Sequence, residues 1–137
     1  MQKRLVILLS LLCLGLVSLA QAQQAANGKN PVGPWAGSWT GGSMGTFEMT
    51  ITKTADGKLG GSITPKPEGG ESYTASFNSV VLSDGKVTIK LADPSGEVEI
   101  TLEAAVDGAT LKGTYSVRAK ADGNEVDRGT FTANKKP

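Results

Sequence analysis

From Trp35 onward apolar and polar residues alternate with a period of two and almost nothing recurs at helical spacing, which selects strands over helices. Phe47, Met49 and Ile51 alternate with Glu48, Thr50 and Thr52, and Val87, Ile89 and Leu91 with Thr88 and Lys90. Val98, Ile100, Leu102, Ala104 and Val106 alternate with Glu99, Thr101, Glu103 and Ala105, and Leu111, Tyr115 and Val117 with Lys112, Thr114 and Ser116. Each such segment has one dry face and one wet face. Asp-Gly pairs punctuate them at Asp56-Gly57, Asp84-Gly85, Asp107-Gly108 and Asp122-Gly123, and Asp93-Pro94-Ser95-Gly96 makes a fifth turn. Asp-Gly suits a tight hairpin because both central residues of a type I′ turn need positive φ. The pattern predicts eight strands, over 35–42, 45–55, 59–64, 73–82, 86–92, 97–106, 109–118 and 126–134, joined as consecutive hairpins.

Turn positions imply registers. A two-residue turn at Asp107-Gly108 sets Ile100 opposite Tyr115 and Val98 opposite Val117, all apolar, with Glu103 opposite Lys112 on the wet face. A four-residue turn at 93–96 sets Ile89 opposite Ile100 and Leu91 opposite Val98, with Lys90 facing Glu99 and Lys86 facing Glu103. A slip of one residue would expose every dry side chain. At Asp56-Gly57 a bulged three-residue loop would set Ile51 opposite Ile63.

A short repeat of Gly, then Ser or Thr, then a large apolar residue begins at Gly37, Gly45, Gly61, Gly113 and Gly129. Glycine weakens a strand, so its recurrence points to sharp bending where a sheet coils to close on itself. The expectation is an all-β fold, an eight-stranded antiparallel up-and-down β-barrel, with a sandwich or partly open barrel as the alternative. A sandwich wants long crossovers, whereas the only long loop runs over 65–72.

The N-terminus reads differently. Lys3 and Arg4 precede a Leu- and Val-rich run from Leu5 to Ala20 and then Ala20-Gln21-Ala22, the layout of a secretory signal peptide cleaved after Ala22. Residues 23–34 lack apolar periodicity and read as a disordered leader, leaving 35–137 as a single domain in a secreted or periplasmic protein with no transmembrane segment after cleavage. The chain carries 14 basic and 13 acidic residues; without Lys3 and Arg4 the balance is 12 to 13, which argues against a nucleic-acid partner. There is no His, and the single Cys13 falls in the signal segment. Ser-His-Asp and Cys-His catalysis and zinc sites are thereby excluded, and no metal or cofactor is expected.

Gly37-Ser38-Trp39, opening the first strand of such a meander, resembles the lipocalin and wider calycin pattern. The resemblance implies that Trp39 plugs the closed end of the barrel with an Arg packed across it, Arg128 or Arg118. The stretch 36–64 also resembles the first strands of avidin-type barrels, and Gly129-Thr130-Phe131-Thr132 their last. Avidins hold biotin between Trp residues on later strands, and this chain has no Trp after Trp39, so biotin binding is not implied.

Candidate site residues follow from the dry face. Tyr115, Phe47, Met49, Phe131 and Asn78 would enclose a small apolar ligand, bordered by the 65–72 loop, with Ser76 and Asn78 as polar exceptions on the lining. Trp35 would cap the barrel mouth. Asp127 shares alternation with Phe131 and would point inward, with Lys53 as its partner. Asp122, Asn124, Glu125 and Asp127 have oxygen donors but not EF-hand spacing, and read as a hairpin turn. Glu97, Glu99 and Glu103 read as a solvated outer face. Two functions stand: a binding barrel for a small apolar ligand, or a structural module with a packed barrel that binds a protein or polysaccharide on its outside. An enzyme is not expected, because acid–base chemistry would rest on Asp, Glu, Lys and Tyr alone.

Overall fold

The computed structural model describes residues 29–137; the expected signal segment and residues 23–28 lie outside them. Among the described residues nine strands form a single antiparallel sheet: β1 (Gly33–Gly41), β2 (Met44–Lys53), β3 (Leu59–Pro67), β4 (Ala75–Ser76), β5 (Ser79–Ser83), β6 (Lys86–Ala92), β7 (Val98–Asp107), β8 (Thr110–Ala119) and β9 (Glu125–Lys135). β1 pairs with β2 on one side and with β9 on the other, so eight strands close a barrel, with β4 as a two-residue addition beside β3. Full closure removes most of the unpaired edge that an open meander would leave.

The seam is narrowest between β3 and β5, which pair only at Leu59 and Val80. Here the expected strand 73–82 is broken. Phe77 N–H donates to the Gly61 carbonyl on one side and Asn78 N–H to the Lys90 carbonyl on the other, so the chain crosses the seam between them. The crossing flips the alternation: Ala75 and Phe77 pack on the core before it and Val80 after it. Ser76 and Asn78 are consequently exposed rather than inward.

Both expected hairpin registers differ by two residues. Ile100 faces Val117 and Leu102 faces Tyr115, because Asp107 pairs with Thr110 and the tip is Gly108-Ala109. Across β6 and β7, Ile89 faces Leu102 and Leu91 faces Ile100, around a longer 93–97 connection. Two residues is one full period of the pleat, so every dry side chain keeps its face. Lys86 still reaches Glu103, at 3.3 Å on the diagonal, whereas Lys90 faces Thr101 and Glu103 faces Thr114. At the β2–β3 turn, Thr54 N–H donates to Lys58 and Gly57 N–H to Thr54, enclosing three residues; the register sets Met49, not Ile51, opposite Ile63.

The glycine repeat marks close strand approach. A Cβ on Gly113 would land on the Glu103 carbonyl and one on Gly129 on the Thr40 carbonyl; the other three glycines of the repeat meet a neighbouring strand's carbonyl in the same way. These are the points where the sheet coils tightly enough to close.

One end of the barrel is filled. Trp35 is fully buried there, in the same core as Ile51, Val87, Val106, Leu111 and Ala133. Residues 29–34, expected as the end of a disordered leader, contribute to it: Pro31 is fully buried, its carbonyl accepts a 2.8 Å bond from Trp35 Nε1, and β1 starts at Gly33. Lys135 Nζ lies 5.1 Å from the Trp35 ring centroid, a cation over the indole face.

Candidate functional site

The opposite end holds a cavity of about 260 Å³. Its floor is Phe47, Phe131, Leu91 and Leu102, its wall Ile63, Ile100, Val117, Pro65 and Pro67, and its rim Trp39, Ser43, Tyr73, Asp93, Tyr115 and Asp127. Phe47 and Phe131 meet edge to face with centroids 6.0 Å apart, and Trp39 stands 6.5 Å from Phe47 on the mouth side. Such aromatic geometry holds the rings in place and leaves apolar surface facing the void.

Pro65 and Pro67 explain why this side is open. Glu68 N–H bonds to the Met44 carbonyl, so on β3 the even-numbered amides face β2 and positions 65 and 67 face the seam. A proline there has no N–H to offer, and among the described residues β3 has no partner on that side beyond Ile63. The wall stops, and the returning 68–74 segment brings Tyr73 to the gap.

A polar corner sits on the rim. Asp127 Oδ1 accepts from Gly42 N–H at 2.9 Å, and Oδ2 accepts from Ser43 Oγ and Tyr115 Oη, each at 3.3 Å. Ser43 Oγ in turn accepts from Trp39 Nε1 at 3.1 Å. Asp127 keeps the inward alternation of Phe131, and a β-bulge stands next to it: Val117 faces Asp127 but Arg118 faces Glu125, so Val126 is the extra residue. Without it Glu125 would share the inward face; instead it lies outside and pairs with Arg118 and Arg128. Gly41 and Gly42 make the corner possible, since a Cβ on the first would strike Tyr115 Oη and on the second Asp127 Oδ1. Burial, and next the Asp127 charge, push the Tyr115 phenol above its ordinary pKa; burial and Asp93 do the same for Tyr73.

Of the residues expected to enclose a ligand, the structure brings Phe47, Phe131 and Tyr115 together around the cavity. Met49 is buried one layer deeper, opposite Trp35 and Ile63, outside the lining. Asn78 is not in the site: it lies on the outer surface in a shallow groove with Val80, Val81 and Leu82, because of the flip at the seam. The two tryptophans occupy exchanged positions. Trp35 plugs the closed end and Trp39 lines the mouth, and the cation across the plug is Lys135, while Arg128 is outside with a side chain 83% exposed. Asp127 points inward as its alternation implies, but its partners are neutral donors; Lys53 lies at the far end of β2, by the other groove. Glu125 and Asp127 point to opposite sides of the wall, so the 122–127 stretch does not converge on one point. The 65–72 stretch was expected to border the site, and its Pro65 and Pro67 do line it, though as the end of β3 rather than as loop. Sequence reasoning missed Tyr73, Asp93 and Ser43 as lining; only Tyr73 left a signal, its alternation with Ala75 and Phe77.

No family model and no curated protein matches this chain. Among solved structures it is similar to EF1p2_mFAP2b bound to DFHBI, with 14% identity, a TM-score of 0.62, and coverage of 77% of this chain and 93% of that one. The likeness is one of barrel fold.

Proposed function

We propose that this protein is a binding barrel, working in a secreted or periplasmic setting, that encloses a small apolar ligand at the mouth end. The observation that carries the reading is the 260 Å³ cavity, walled by Phe47, Phe131, Leu91, Leu102 and Ile100 and carrying its polar groups only on the rim. An apolar cavity of roughly 150 Å³ is already enough to take up benzene, so this one has room for a compact ligand of one or two rings. The similar barrel bound to DFHBI lends support, since it is a small-molecule complex on the same fold. The Lys3-Arg4, Leu5–Ala20 and Ala20-Gln21-Ala22 succession supports export. Catalysis is no part of this reading: three neutral donors already engage Asp127.

Titration with an environment-sensitive apolar dye tests the reading. Uptake by the wild type, weakened by about tenfold or more in Ile100→Trp, which fills the void, is the expected result. An absence of dye uptake, with nothing apolar in an organic extract of the purified protein, would favour a packed structural module instead. Export is checked separately by N-terminal sequencing of the mature protein, which should begin at Gln23.

A further inference from the structure

The rim polarity is one-sided. Asp93 and Asp127 both line the cavity, no Lys or Arg does, and neither carboxylate takes part in an ion pair among the described residues. Asp127 is held by neutral donors alone, and Oδ1, with a single bond from Gly42, keeps a free lone pair. Asp93 accepts from Ser95 Oγ at 2.7–2.9 Å. Tyr73 and Tyr115, whose phenols are pushed upward, stay neutral at ordinary pH and compensate no charge. Beneath this rim the walls are apolar, and such surroundings strengthen a charge interaction at their edge. The aromatic rings of Trp39 and Tyr115 share the rim with the carboxylates, and aromatic rings attract cations. An anionic ligand would instead bring like charge to two carboxylates.

Building on the binding-barrel reading, we propose that the cavity selects amphipathic cations: an apolar or aromatic body carrying a protonated amine, the body among Phe47, Phe131 and Leu102 and the ammonium at Asp127. A matched series of probes separates this from the parent reading. Calorimetric titration with 2-phenylethylamine, 2-phenylethanol and 3-phenylpropanoate at neutral pH and low ionic strength should rank the amine first by about tenfold over the alcohol, with the carboxylate weakest. Added salt should weaken the amine and leave the alcohol unchanged. Asp127→Asn should bring amine and alcohol together, and Asp93→Asn, which leaves the Gly42 bond intact, should narrow the gap on its own if the first variant folds poorly. Equal binding of amine and alcohol by the wild type, or a preference for the carboxylate, overturns the cation selectivity and leaves the cavity reading standing. Failure of all three probes, together with absent dye uptake, overturns both.

Discussion

Tyr115 shows how one side chain joins the fold to the site. Its ring is buried in the core, and its hydroxyl emerges beside Gly41 to bond Asp127 at the cavity rim. The folded protein holds the phenolic proton after an unfolded chain would have released it, so this contribution to stability is intact below pH 10.0 and is lost as pH rises through the folded midpoint. Tyr73 behaves alike, and the chain has only these two tyrosines. Spectrophotometric titration of tyrosinate should therefore show both midpoints above the ordinary value, and Tyr115→Phe should remove one of them and make the alkaline loss of stability shallower. A single transition at the ordinary value would contradict the burial described here. The tryptophans separate just as sharply. Trp35→Ala should cost about 3–5 kcal/mol in denaturant unfolding, as expected for emptying a core position. Trp39→Ala should cost distinctly less and appear mainly as weakened dye binding, since Trp39 is only partly buried and lines the mouth.

Among the elements, β3 decides the most. Its first half is paired on both sides; its second half is paired only with β2 and presents Pro65 and Pro67 to the gap. Prolines on an open edge block further strand addition. The double variant Pro65→Val, Pro67→Val would restore two outward amides, and sedimentation should show a stronger concentration-dependent shift toward larger species than in the wild type. An unchanged sedimentation profile would mean that Tyr73 and the 68–74 segment, rather than the prolines, protect the edge. The break between Phe77 and Asn78 is the counterpart of this gap: by crossing the seam there, the chain leaves the mouth end of β3 without a neighbour and so opens the cavity wall.

At the scale of the whole molecule, the barrel is a single hydrophobic core with one end filled and one left open, and the filled end depends on residues before the first strand. A chain shortened to begin at Gly33 loses Pro31 and the acceptor of Trp35 Nε1, and should be less stable by about 1–3 kcal/mol in urea unfolding. Equal stability of the two chains would show that 29–32 contribute nothing to the closure. Period-two alternation, Asp-Gly turns and the glycine repeat were by themselves sufficient for the all-β class, the hairpin order and the dry faces of β2, β6, β7 and β8, because each is a local property of the backbone and its pleat; the face of the expected 73–82 strand was decided by the crossing at Asn78. The same alternation is unchanged by a slip of two residues, so the registers of β6, β7 and β8 awaited the folded hairpins. It is equally blind to which end of a strand is capped, which is why Trp35 and Trp39, four residues and about 13 Å apart on one inward face, could not be told apart as plug and lining. The rim of the cavity belongs to tertiary structure altogether: Ser43, Tyr73, Asp93 and Asp127 are distant along the chain, and only closure of the barrel and the crossing at Asn78 bring them to one mouth.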